Sequence, residues 1–367
     1  MQKQRGVIII IVLWFIVVVT VIVAALATET RLAAKAVFHN KKGLQTWNDT
    51  LQALNSAKME LLINRMPDPP GEEQDDVPLE ERKNKRYRFN GQILTLAYPV
   101  PKTVTVRIYD QSGKINLQSL SKMHLRQLLE KRIGDDPEKL QPLLDAWNDW
   151  IDRDDFERVN GAEKKYYETL SPPYEPRNFR LETVEELLLI KGFDEAFKGV
   201  EIDAVFTVYG NNSRSINPNL ATREALMLLP GMTGAAADTI LVKRRKKDFK
   251  SYNDFNEFME PEQLAKVRSW INFSSSNFFT IAIQVQEVED EDSEETDDER
   301  SEESEKSDKQ ITPPPANEKN QRAYMVTVQT KGFNQLPKVL LVSPYGILPS
   351  TAHEQIVDED DDSFSPL

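Results

Sequence analysis

The chain has 367 residues with a formal net charge of -13, and it contains three histidines and no cysteine. Without cysteine it has no disulfide framework, no thiolate zinc site and no thiol nucleophile. The negative charge is concentrated in two tracts near the C-terminus, so the net value does not by itself identify a partner.

The first predicted element is an apolar run from Val7 to Ala27, in which Thr20 is the one polar residue. As a helix it would be about 31 Å long, close to the ~30 Å hydrocarbon core of a bilayer. Lys3 and Arg5 precede the run. The sequence therefore predicts a single membrane span with a cytoplasmic N-terminus and the bulk of the chain exported.

Three interpretations compete for this run. A cleaved secretory signal has an apolar core of about 7–15 residues, and this run is longer, although 25–27 would suit its cleavage site. An uncleaved signal anchor fits the length but does not explain why Gly6 directly precedes the run. The junction resembles a type IV pilin-like signal, which implies peptidase cleavage between Gly6 and Val7 and N-methylation of Val7. We favour this third interpretation.

Beyond the run, helical spacing continues to about Met66, and Pro67 should end the helix. Alternating apolar and polar residues then predict antiparallel strands at the following ranges: 93–98, 103–109, 279–285, 324–329 and 339–342. Helical periodicity occupies 116–270. The predicted fold class is α+β, with a long N-terminal helix packed on a small antiparallel sheet and a large all-α domain inserted between two strands.

The predicted organisation is as follows: a leader at 1–6, a transmembrane part at 7–27, a pilin-like helix with the first strands at 28–110, an inserted α-domain at 111–276, a strand at 277–286, a disordered acidic linker at 287–322, C-terminal strands at 323–350 and an acidic tail at 351–367.

Inside the insertion, the sequence of 113–120 resembles that of 214–221, and each copy predicts a turn followed by a helix capped at or near Asn116 or Asn217. The second copy continues through 229–242 as a unit resembling a helix-hairpin-helix. Such units bind DNA phosphates, and the basic run 243–247 lies nearby. The membrane span and the surplus of acids oppose that function, so we favour a packing module and expect no nucleic-acid partner.

A cluster of oxygen ligands follows the amphipathic helix predicted before residue 152. Its members are Asp152, Asp154, Asp155, Asn160 and Glu163. Such residues in a loop suit calcium, which takes six to eight oxygen ligands. The spacing is not that of an EF-hand, because Phe156 stands where that loop places a ligand. A solvated loop whose charge is balanced by Arg153 and Arg158 explains the sequence equally well.

The two acidic tracts come last. The range 287–308 holds 14 acidic and 2 basic residues, and 354–362 adds six acids. Both lack the apolar residues needed to fold, so we expect solvated, disordered segments rather than calcium-binding ones.

Catalytic patterns are absent from the sequence. The histidines His39, His124 and His353 are far apart, and no nucleophile elbow, phosphate loop or dinucleotide fingerprint occurs. The sequence therefore predicts a protein that is not an enzyme.

Several phrases together resemble the minor pseudopilin K family of the type II secretion system. They are the Gly6–Val7 junction, WIDRDDFERVNGAEKKYY, TVEELLLIKGF, and FTVYGNNSRSINPNLA before LPGM. The resemblance implies a pseudopilin fold with an inserted α-domain, located at the tip of a pseudopilus in the inner membrane of a Gram-negative bacterium. The resemblance also implies calcium in that α-domain, which strengthens the expectation that the loop 152–163, the aspartate-rich loop, binds calcium. The acidic tracts depart from the family pattern.

The resemblance also implies partners: the I and J minor pseudopilins and the H subunit, the major pseudopilin, the prepilin peptidase and the inner-membrane assembly platform. The fifth residue of the mature helix is Ile11, where pilins usually have glutamate. Because a subunit without that carboxylate cannot neutralise a neighbour's N-terminal ammonium in the bilayer, it suits the topmost position. The alternative is a membrane-anchored DNA-binding pseudopilin of a competence or type IV pilus system.

Overall fold

The computed structural model describes residues 5–66, 87–210, 214–286 and 322–349, with side chains from residue 10 onward. The chain divides into two compact units, 1–52 and 53–367. The predicted break at Pro67, nearly all of the acidic linker and all of the acidic tail lie outside the described residues.

The described helices and strands are, in chain order, α1 (Arg5–Asn64), β1 (Asn90–Ile93), β2 (Val104–Asp110), β3 (Ile115–Asn116), α2 (Lys122–Ile133), α3 (Pro137–Ile151), α4 (Lys164–Tyr167), α5 (Phe193–Ala196), α6 (Ile202–Val205), β4 (Phe206–Thr207), α7 (Arg223–Leu228), α8 (Gly234–Lys246), α9 (Pro261–Arg268), β5 (Phe278–Val285), β6 (Arg322–Gln329) and β7 (Lys338–Ile347).

The first unit consists of the N-terminal part of α1. Helix α1 is 60 residues long, and its first turns carry an almost unbroken apolar sequence whose side chains, from Ile10 onward, are exposed except for the half-buried Val18. By length and composition this part of α1 is long and apolar enough to cross a membrane.

The second unit has a sheet with the last turns of α1 on one face. Ala53, Ala57 and Leu61 recur at helical spacing, are fully buried and belong to one core cluster with Ile281 and Val326 of the sheet. The strand order is β1-β2-β5-β6-β7, and every neighbouring pair is antiparallel. These observations confirm the predicted mixture of a long N-terminal helix and an antiparallel sheet.

The prediction of a strand at 93–98 is wrong over most of that range, because β1 ends at Ile93. Leu94 and Leu96 still bury their side chains, which explains the alternating pattern. The Ala97 N–H donates to the Glu60 carboxylate at 2.9 Å, so a side chain of α1 replaces a neighbouring strand at this point.

The insertion occupies 111–277, between the paired strands β2 and β5. The prediction that it is all-α is wrong at one point, because β3 and β4, whose Ile115 and Phe206 are buried in its core, pair in parallel as a two-stranded sheet. It has its own core, in which Trp150, Trp270 and Tyr167 are among the largest buried side chains. Because Asp110 pairs with Phe279 in the sheet, the insertion leaves and re-enters at one end of two neighbouring strands.

The two echoed motifs have similar local structure. Asn116 accepts a hydrogen bond from the Gln118 N–H, and Asn217 accepts one from the Asn219 N–H. Each turn is followed by a capped helix, α2 or α7. Helices α7 and α8 are joined through Gly231, whose φ is +82° and where a Cβ would approach the Gln263 carbonyl oxygen to 2.7 Å. Their assignment as a helix-hairpin-helix stays a prediction.

Candidate functional site

The aspartate-rich loop is held by the last turn of α3. This helix starts at the capping residue Asp136, whose carboxylate accepts the Glu138 N–H, and it buries Trp147 and Trp150 on its inner face. Asp149 lies on the same buried face and is 0% exposed. The chain therefore brings a carboxylate into the core directly before the predicted site.

Asp149 organises the loop that follows it. Its Oδ2 accepts the N–H of Arg158 at 3.2 Å and the N–H of Ala162 at 2.9 Å. A Cβ on Gly161 would lie 1.8 Å from the same oxygen, so only glycine permits this approach. One buried carboxylate thus fixes the returning end of the loop.

The side chain of Arg158 supplies an internal cation. Its Nη1 lies 2.5 Å from Asp149 Oδ1 and 2.6 Å from Asp152 Oδ2. Hydrogen bonds to Asp152 and then to Asp149 raise the pKa of Arg158 above its usual value. Arg158 thus pairs with Asp152 as the balancing interpretation predicts, and it also pairs with the buried Asp149, which was not among the predicted site residues.

Glu163 is the unusual member of the cluster. It is 3% exposed, and neither of its carboxylate oxygens has a hydrogen-bond partner within the described residues. Burial first, and then the charges of Asp149, Asp152, Asp155 and Asp154, raise its pKa to about 7. A buried carboxyl without a donor is expensive as an anion, so Glu163 requires either a proton or a cation.

The remaining predicted residues lie at the surface. Asp154, Asp155 and Asn160 are exposed. Asp154 Oδ1 accepts the Phe156 N–H at 3.1 Å, and Asp155 Oδ1 accepts the Asn178 side-chain amide at 2.9 Å. In the described parts of the chain, no three histidine, aspartate or glutamate side chains are arranged to hold a metal ion as they stand.

The donor set nevertheless fits a hard cation. Asp152 Oδ1 and both oxygens of Glu163 are buried without a hydrogen-bond partner among the described residues. Unpartnered carboxylate oxygens are the ligands calcium prefers. Arg158 occupies the other oxygen of Asp152, so it would compete with an incoming ion for that carboxylate.

The insertion also contains a serine–histidine contact, between Ser121 and His124. Ser121 Oγ lies 2.5 Å from His124 Nδ1, and Arg214 Nε donates to His124 Nε2 at 2.8 Å. Because Nε2 accepts a hydrogen bond, Nδ1 must carry the proton and donate to Ser121. Burial and the Arg214 charge lower the pKa of His124. The Ser121 hydroxyl oxygen accepts hydrogen bonds from the His124 ring and backbone N–H and caps α2, which is not the geometry of a nucleophile and its base.

Comparison with known proteins identifies relatives of the insertion and of longer parts of the chain. A family model described as type II secretion system (T2SS), protein K, matches residues 108–198, which include the whole aspartate-rich loop. The type II secretion system protein K of Pectobacterium carotovorum subsp. carotovorum is 36% identical over 67 residues, 18% of this chain and 20% of that protein. Its namesake in Dickeya chrysanthemi is 25% identical over 164 residues, 43% of this chain and 45% of that protein.

A longer match is the putative type II secretion system protein K of Escherichia coli (strain K12), 25% identical over 239 residues, which cover 59% of this chain and 72% of that protein. The chain thus spans less than half the length of the first two relatives. Among solved structures, a chain of the GspK-GspI-GspJ complex from the enterotoxigenic Escherichia coli type 2 secretion system has a TM-score of 0.51 and 14% sequence identity, covering 84% of this chain and 99% of its own. The family model and the curated relatives thus show that the chain is similar to type II secretion system protein K, over residues 108–198 for the family model, and the solved structure shows a similar fold.

Proposed function

We propose that this protein is a non-enzymatic minor pseudopilin that caps the tip of a type II secretion pseudopilus and initiates its assembly for protein export. The observation that carries the proposal is the family match at 108–198. The fold shared with a chain of the GspK-GspI-GspJ complex supports it. A large insertion leaving one end of the sheet is suited to a subunit on which no other subunit stacks.

The proposal includes anchoring in the inner membrane through α1, with the N-terminus in the cytoplasm. Cleavage after Gly6 by the prepilin peptidase would leave Val7 as the methylated N-terminus of the mature helix. Ile11 gives this helix no carboxylate for a neighbour's ammonium group, which supports the topmost position. In that position this chain would contact the assembly platform and the major pseudopilin.

Calcium binding is the second part of the proposal. Asp152 and Glu163 would hold the ion through their unpartnered oxygens, and the surface residues Asp154, Asp155 and Asn160 are the further candidates. The ion would supply positive charge to a loop with more carboxylates than cations. Its role would be structural, because it would neutralise the clustered carboxylates of the loop.

The test is assembly of the full-length chain with the I and J minor pseudopilins of the same bacterium. We expect a detergent-solubilised complex containing one copy of this chain and no incorporation along the body of a filament. The control replaces Arg245, which is exposed on α8, with glutamine and should leave assembly intact. Failure to form the complex, or stoichiometric distribution along isolated pili, would refute the proposed function.

The DNA-binding alternative predicts retention of DNA by the basic end of α8. The comparisons favour protein K over that alternative. We therefore expect no DNA binding by the full chain at physiological salt. The test is informative at this salt concentration because a protein that contacts several phosphates still binds DNA measurably there.

A further inference from the structure

The aspartate-rich loop ends in two large apolar side chains that contact solvent rather than protein. Val159 is 97% exposed and Phe156 is 81% exposed, the two highest values among the large apolar side chains that the structure describes. They lie three residues apart in one exposed segment, and exposed apolar patches rimmed by polar residues mark interaction surfaces.

The segment that carries them, 153–160, is exposed throughout but is fixed at both ends. At its start, the Arg153 guanidinium lies over the Phe179 ring, 5.3 Å from its centroid. At its end, Arg158 is held by Asp149 and Asp152. A preorganised loop loses little conformational entropy when it binds, so the two apolar side chains are held ready for contact.

The charges around these side chains identify the kind of partner. Asp154, Asp155 and Glu157 are exposed beside them. The ion pairs described for Arg158 are with Asp149 and Asp152 and do not include Glu157. Glu157 lies between Phe156 and Val159 in the sequence and is not among the proposed calcium ligands. The loop therefore offers two apolar groups beside an exposed carboxylate, which complements an apolar pocket bordered by lysine or arginine.

We propose that the tip formed by Phe156 and Val159 is the surface through which the insertion docks into an apolar, basic-rimmed pocket of a protein other than the minor pseudopilins that assemble with this chain. The inference rests on the proposed function, because it requires a tip subunit whose insertion faces outward. The exposed Glu157 carboxylate disfavours an anionic lipid surface, so the partner is a protein.

Because the chain contains no cysteine, a single introduced thiol reports the exposure of the tip directly. In cells of the source bacterium, Val159→Cys in the full chain should react with a maleimide at least about tenfold more slowly when the complete secretion system is present than when only the minor pseudopilins are, as a desolvated anchor would. Val242→Cys, on the exposed side of α8, is the matched control and should react equally in both strains.

Further arms separate the possible outcomes. In the purified complex with the I and J minor pseudopilins, Val159→Cys should remain reactive; protection there would overturn the proposal and make the tip part of that complex. Equal reactivity with and without the complete system would also overturn it. An environment-sensitive dye attached to the thiol of the Val159→Cys variant gives the last arm. A blue shift of this dye with phosphatidylglycerol-containing vesicles, but no protection in cells, would show a membrane contact instead.

Protein export by the secretion system gives an independent measurement. Replacing both apolar residues, Phe156→Ser with Val159→Ser, should abolish export while the full chain still assembles with the I and J minor pseudopilins. Glu157→Gln should weaken export less. Unchanged export by the double variant would refute docking through the tip. If the wild-type chain does not assemble with the I and J minor pseudopilins, that result refutes the proposed function and not this inference.

Discussion

Replacement of Asp149 by alanine should destabilise the insertion more than any surface change in the aspartate-rich loop. The variant leaves the Arg158 and Ala162 N–H groups without their acceptor, and each such loss costs about 1–3 kcal/mol. The freed guanidinium of Arg158 is 40% exposed and can reach water, so it adds less. We expect a total of about 3–5 kcal/mol, in the range for breaking a buried charged pair.

The assay is thermal unfolding of the full chain in detergent with EDTA. At about 2–4 °C per kcal/mol, the midpoint of the insertion should fall by about 10 °C. Asp145→Ala is the matched control, because Asp145 lies one turn earlier on α3 and its carboxylate accepts only the Gln141 amide among the hydrogen bonds described for it. A decrease no larger than that of the control would show that Asp149 does not organise the loop.

Three further outcomes follow from the same region and from the N-terminus. Glu163 has a folded pKa of about 7, above its usual 4.5, so the folded state binds more protons between these values and stability in EDTA should decrease as pH rises from about 5 to about 8. Glu163→Gln should flatten that dependence, and an unchanged slope would assign the titration to another group. Saturating calcium, at about 100 times its Kd, should raise the free energy of unfolding by about 2.7 kcal/mol, and the increase should be smaller in a chain carrying Asp154→Ala and Asp155→Ala; an undiminished increase would exclude these two residues as ligands. Gly6→Val should leave the leader attached, whereas a mature N-terminus at Thr28 would establish an ordinary signal peptide.

Features that depend on periodicity could be predicted from the sequence. The apolar run, the helical spacing up to Leu61 and the alternation at β2 and β5 each follow from which side chains must leave water. The segment after Ile93 shows the limit of this reasoning. Leu94 and Leu96 alternate as in a strand, but the Ala97 N–H donates to the Glu60 carboxylate. This contact is distant in sequence, and no local pattern encodes it.

The candidate site was predictable in composition but not in arrangement. Asp152 and Glu163 were identified because acidic residues cluster around a glycine turn. Asp149 was missed, since it is embedded in an apolar helix and its two backbone donors come from residues nine and thirteen positions later. Its position one residue before the buried Trp150 was the available signal.

The hairpin of β5 and β6 closes through a connection of unusual length. Ile283 pairs with Tyr324, and the Gln286 N–H donates to the Thr103 carbonyl at 2.8 Å, so the ends of the connection at 286 and 322 are fixed by neighbouring strands. Loop-closure entropy grows only with the logarithm of length, so extending a hairpin connection from about 4 to about 36 residues costs about 2 kcal/mol. The sheet therefore tolerates large changes in the number of residues at this point, and its register is independent of what the connection contains.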